Sequence, residues 1–188
     1  MKITDAQNLL KKYVSQPSLL RHCQTVAVAM AYFAEKYGEN PEYWEAVGLL
    51  HDVDFEKYPE EHCKKCAEIF REEKSNFDGI TEDLIHSVQS HAYGICSDVE
   101  PNCQMEKVLY TVDQLSGFIV ACAAVRPSKS VMDMEIKSVM KKFKTKDFAA
   151  ACNRDVIRNG CQLLGVELND FVGDCISALR KRHEEIGV

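Results

Sequence analysis

Apolar residues recur at three- and four-residue steps along almost the whole chain, and period-two alternation is nearly absent. A chain patterned this way buries one stripe of each helix against its neighbours, so the expected fold is all-α. Thr4 or Asp5 caps a first helix to about Val14, with Leu9, Leu10 and Tyr13 on its apolar side. Pro17 opens a second that runs to about Tyr37, where Gly38 stops it. Asn40-Pro41 starts a third, which carries Trp44, Val47 and Leu50 and ends at His51-Asp52. After a loop over 54–59, a helix is expected from Pro59 to about Lys74 and contains His62. Thr81 caps a short helix ending near His91, and a long apolar helix spans about 103–125. Beyond the break Arg126-Pro127-Ser128-Lys129, helices are expected over 132–143, 147–164 and 169–185.

At 188 residues and 46% hydrophobic, the chain can bury one sizeable core, so residues 1–188 are expected to form a single domain. A formal charge of −6 removes any general attraction to nucleic acid or acidic membranes. No apolar run reaches membrane-spanning length, and Met1-Lys2-Ile3-Thr4-Asp5 lacks the apolar segment of a secretory leader. The expectation is a cytoplasmic protein. Its nine scattered cysteines, an odd number, then read as small buried hydrophobes rather than a disulfide framework. Cys63-Lys64-Lys65-Cys66 has CxxC spacing, but no second CxxC follows at zinc-ribbon distance and no βαβ pattern surrounds it. It is read as structural.

The chemistry-bearing residues gather at helix ends and on apolar faces. His51-Asp52 directly follows the run Gly48-Leu49-Leu50. Adjacent residues point about 100° apart on a regular helix, so they converge only where the backbone departs from helical geometry. Taken alone, such a pair reads first as a hydrogen bond at a helix terminus. Asp113, however, lies mid-helix in Leu109-Tyr110-Thr111-Val112-Asp113-Gln114-Leu115, where an unpartnered carboxylate is expensive to bury. His22, His51, Asp52, His62, His91 and Asp113 come from five helical segments, which is how helical bundles assemble metal sites. Imidazole and carboxylate together suit Mn²⁺, Fe²⁺, Co²⁺, Zn²⁺ or Mg²⁺. His86 is expected on an exposed face, and His183 in a solvated helix end.

Arg21-His22-Cys23, Leu50-His51-Asp52 and Val112-Asp113-Gln114 together resemble the HD-domain metal-dependent phosphohydrolases over about residues 17–125. The resemblance implies an HD-domain helical bundle, here with extra C-terminal helices over about 126–188. It implies that His22, His51, Asp52 and Asp113 hold a first divalent ion. In some branches further histidines hold a second; His62 and His91 stand at those places, with Asp52 bridging the two. One or two ions per chain are therefore expected. The stretch Ser90-His91-Ala92-Tyr93-Gly94 is similar to the branch that hydrolyses dinucleoside tetraphosphates, while the loop after His51-Asp52 and the C-terminal third do not match that branch.

The resemblance implies a phosphorylated small molecule, a nucleotide above all, as the partner; a divalent ion on such a set would lower the pKa of a bound water and neutralise phosphoryl charge. Asp54 or Glu56 is then a candidate to orient the water or protonate the leaving group, beside Asp52. Lys57, Arg126 and Lys129, with Arg154 behind them, are candidate cations for the substrate phosphate. The rival readings are a dinucleoside polyphosphate hydrolase and a non-catalytic HD domain that senses a nucleotide or metal. Oligomeric state stays open, a homo-oligomer included.

Overall fold

The computed structural model describes residues 1–188 as ten α-helices and no strand. They are α1 (Ile3–Tyr13), α2 (Pro17–Tyr37), α3 (Pro41–Leu50), α4 (Lys65–Glu73), α5 (Glu82–Ser90), α6 (Gln104–Ala124), α7 (Ile136–Phe143), α8 (Arg154–Leu164), α9 (Leu168–Lys181) and α10 (His183–Ile186). The helix boundaries follow local chemistry. Pro17 and Pro41 occupy first-turn positions where no N–H is needed. The side chains of Asn40, Thr81 and Asn153 accept N–H groups from the first turns of α3, α5 and α8. Glu106 reaches back from α6 to the N–H groups of Asn102 (2.7 Å) and Cys103 (3.3 Å).

The two long helices, α2 and α6, pack on one another and organise the rest. α3 lies along α2, with α1 and α5 against α3 and α4 against α5; α8 lies on α6, and α9 touches both α2 and α6. Two glycines permit the closest approaches. A Cβ at Gly48 would stand 2.8 Å from Met30 Cγ and 3.0 Å from Ala27 Cα, so α3 can sit against α2 only with glycine there. A Cβ at Gly160 would stand 1.9 Å from Thr111 Oγ1, which couples α8 to the middle of α6. Buried apolar residues form one contiguous core from Ala6 to Ile186. Phe33 of α2 stacks on Phe171 of α9 with ring centroids 4.6 Å apart. No helix is long and apolar enough to cross a membrane.

Four of the expected helices differ from the periodicity, and the one expected over 169–185 breaks at Arg182 into α9 and α10. The segment expected to be helical from Pro59 to Lys74 begins with a single 3₁₀ turn, Pro59–Glu61, breaks at residues 62–64, and resumes as α4. Cys63 takes a left-handed backbone (φ +65°) in the break. The buried Asp54 carboxylate pins this segment, accepting the Cys66 N–H at 2.8 Å and lying 2.7 Å from His62 Nδ1. The helix expected from Met132 starts only at Ile136. There Arg126 holds the Asp133 carboxylate and carbonyl, and Arg180 donates to the carbonyls of Val131 (3.0 Å) and Met134. Residues 147–153 are a turn, not the first part of α8, because Arg154 gathers the carbonyls of Phe148, Ala149 (2.6 Å) and Cys152 (2.7 Å).

Candidate metal centre

α3 ends where its apolar run ends, at Leu50, and His51 and Asp52 leave the helix in a tight turn. That departure lets both side chains face the same space. His22 projects from α2, Asp113 from the middle of α6, His91 from the C-terminal end of α5, and His62 from the break before α4. All six converge on one cleft of about 330 Å³, which His22, Asp52, His62, His91 and Asp113 line directly. His51 lies completely buried beneath them.

Two adjoining sets of donor atoms result. In the first, His22 Nε2 lies 3.1 Å from His51 Nε2, 3.0 Å from Asp113 Oδ1 and 3.6 Å from Asp52 Oδ2. His51 Nε2 is 3.4 Å from each of the same carboxylate oxygens. In the second, the other oxygen of Asp52, Oδ1, is 3.3 Å from His62 Nε2 and 3.5 Å from His91 Nε2. Asp52 therefore turns one oxygen to each set.

The opposite sides of the imidazoles show which atoms are free. His51 Nδ1 donates to the Gly48 carbonyl (2.7 Å), His91 Nδ1 to the Val88 carbonyl (2.5 Å), and His62 Nδ1 to the Asp54 carboxylate (2.7 Å). Each neutral ring then carries its proton on Nδ1 and presents a bare Nε2 lone pair to carboxylate oxygens. Lone pairs facing one another at these distances repel unless positive charge, protons or a metal ion, sits among them. This donor set and its outer hydrogen bonds fit a divalent metal. A further relay holds Asp113: the Asn153 N–H donates to Gln114 Oε1 (2.8 Å), and Gln114 Nε2 donates to Asp113 Oδ2 (2.7 Å).

The electrostatics agree. Burial alone would push the Asp52 and Asp113 carboxyls up, but the imidazoles around them hold both well below the ordinary range. Burial likewise pulls the His62 imidazole down, and the hydrogen bond to Asp54 overcomes it, raising His62 to about 9. Beside this pair, the buried Cys63 thiol is brought down to about 7, against its own burial, by the imidazoles of His91 and His62.

The other expected site residues lie elsewhere. Asp54 is fully buried behind His62, so it orients that ring and cannot touch a substrate. Glu56 is committed to the α1–α2 loop, accepting the N–H groups of Ser15 and Gln16 at 2.8 Å and the Ser15 hydroxyl at 2.6 Å. Lys57 donates to the Lys12 carbonyl (3.1 Å) and stands over the Tyr13 ring, away from the cleft. Arg126 is engaged by Asp133, and Lys129 sits exposed on the turn after α6; neither lines the cleft. Arg154 is spent on backbone carbonyls. His86, expected to be exposed, is half-buried because its Nδ1 meets Glu106 Oε1 at 2.9 Å. Sequence patterning missed Gln114, for which only its place beside Asp113 is a signal, and Cys63 and Cys96, whose thiols meet beside His62.

No curated protein and no solved structure matches the chain. The family model for the HD domain matches residues 19–117, more than half of the 188 residues and the span that contributes all six convergent side chains. The chain belongs to the HD-domain family, whose members are mostly metal-dependent phosphohydrolases.

Proposed function

We propose that the protein is a metal-dependent phosphohydrolase that cleaves a phosphate ester or anhydride of a small molecule. The observation that carries this reading is the division of Asp52 between two sets of inward lone pairs. His22, His51, Asp52 and Asp113 would hold one divalent ion, and His62 and His91, with the second oxygen of Asp52, another. Divalent ions in such a centre supply Lewis acidity, making water a competent nucleophile near neutral pH and offsetting the charge of a phosphoryl group. The chain's own residues do the rest. Gly48, Val88 and Asp54 fix three imidazoles by their Nδ1 protons, so the donors need not reorganise during reaction. No lysine or arginine lines the cleft, so the reacting phosphate depends on the metal centre for charge neutralisation.

A nucleotide fits the surroundings best among phosphorylated substrates. Phe55 and Ile95, 45% and 54% exposed, form an apolar rim suited to a base. Ala151 and Cys152 also line a second groove of about 500 Å³ that carries Lys144, Lys146 and Arg158, the last paired with Asp155 at 2.9 Å. That groove offers positive charge to phosphates beyond the reacting one, which also favours polyphosphate substrates, the dinucleoside class included. The test is turnover of aryl phosphate, nucleoside mono- and triphosphates and dinucleoside polyphosphates with added Mn²⁺ or Co²⁺. Hydrolysis is expected, and the Lys146→Ala, Arg158→Ala double variant should raise KM about tenfold for polyphosphates only. Bound metal without turnover of any phosphate would make the domain a sensor instead.

A further inference from the structure

The CxxC spacing is misleading about which thiols belong together. Cys66 is fully buried and turns back to donate to the Cys63 carbonyl at 3.2 Å. Cys63 faces the other way. Its left-handed backbone (φ +65°) is one that non-glycine residues rarely adopt. That conformation places Sγ 3.9 Å from the His91 ring nitrogens and 3.6 Å from Sγ of Cys96, 33 residues along the chain. Cys96 reaches this point from the loop after α5, where it lines the cleft. Ligand atoms of His62, Cys63 and Cys96 all lie within 4.8 Å of one another.

These separations match what one ion requires. Two thiolates on a tetrahedral ion, with metal–sulfur bonds of about 2.3 Å, stand roughly 3.7–3.8 Å apart. The two sulfurs are already within 0.2 Å of that. Two unrelated loops, one of them held in an unfavourable backbone conformation, bring both thiols to the side of His62.

We propose that Cys63 and Cys96, with His62, form a thiol-bearing ligand set at the second-ion position, which therefore takes a soft or borderline ion such as Zn²⁺, Fe²⁺ or Co²⁺ and discriminates against Mg²⁺. This rests on the metal-centre reading above and gives it chemical selectivity. The first position, with two imidazoles and two carboxylates, has no sulfur within its set. The two positions thus differ in the ions they prefer.

The experiment is cobalt titration of the full, reduced protein without oxygen, following bound cobalt per chain and the near-ultraviolet absorption together. Thiolate-to-cobalt charge transfer should appear with the ion at the second position and should be unaffected by excess Mg²⁺. Cys63→Ser and Cys96→Ser should each reduce the band, and the double variant should abolish it with helix content preserved by circular dichroism. Cys66→Ser should leave it in place. Cobalt bound without any thiolate band overturns the proposal while leaving the His/Asp centre standing. A band that persists in the double variant overturns it as well. Failure to bind cobalt at all overturns both readings.

Discussion

Asp54 illustrates how one residue can be central without touching a substrate. It is fully buried, holds His62 through Nδ1 and accepts the Cys66 N–H. Asp54→Asn keeps the shape but weakens the acceptor. Outer-shell changes of this kind typically cost 10–100-fold in metal affinity. The expectation is a loss of roughly that size at the second ion, with the first ion retained, as measured by calorimetric Mn²⁺ or Zn²⁺ titration; equal loss of both ions would show that Asp54 acts only on the fold. The six convergent residues were legible in the sequence because histidine and aspartate are costly to place on apolar helical faces without a partner. The roles of Asp54 and Glu56 were not. Both lie in the loop after His51-Asp52, and which way each side chain turns depends on hydrogen-bond donors eight to forty-one residues distant. Cys63 was illegible for a different reason: its direction is set by a left-handed backbone that CxxC spacing does not encode.

Among the elements, α1 is tied to α4 by Glu73, whose carboxylate takes Lys12 and the Tyr13 hydroxyl (2.8 Å) together with the Asn76 amide (3.0 Å). Lys12 first, then Asn76 and Tyr13, hold the Glu73 carboxyl down at about 2, against the effect of its burial. Because the folded-state value is depressed, the stabilisation is complete above the unfolded value of about 4.5 and disappears as pH falls through about 2. Glu73→Gln should therefore cost about 1–2 kcal/mol in urea denaturation at pH 7. The two proteins should converge only below about pH 2; a difference independent of pH would assign the cost to packing. At the α6–α8 contact, Gly160→Ala should lower stability by about 1–3 kcal/mol, since its Cβ would overlap the Thr111 side chain. Adding Thr111→Ala should recover much of that loss, and the same denaturation measurement reads both. Helix existence was legible throughout, because apolar periodicity and caps are local signals. The ends at 62–64, 132–135 and 147–153 were not, since Asp54, Arg126, Arg180 and Arg154 trade helical hydrogen bonds for long side-chain contacts.

Across the whole molecule, the C-terminal helices do more than extend the HD region. α9 stacks Phe171 on Phe33 of α2, α8 closes on α6, and the turn before α8 supplies one wall of the cleft. The Asn153 N–H reaches Asp113 through Gln114, so the position of the Asp113 carboxylate in the cleft depends on a residue beyond the family's matched span. This dependence could not be read from patterning, which sees faces and caps but not which helix covers which. The convergence of α2, α3, α5, α6 and the 62–64 break on Asp52 remains the central feature. Its most direct test is metal content of the protein after Mn²⁺ or Zn²⁺ loading, measured by plasma mass spectrometry beside the His51→Ala variant. If the proposed two-ion centre is right, about two ions per chain are expected, with the first lost in the variant because His51 lies fully buried against the other donors of that set. No bound metal after loading, or unchanged metal in a folded His51→Ala protein, would contradict it.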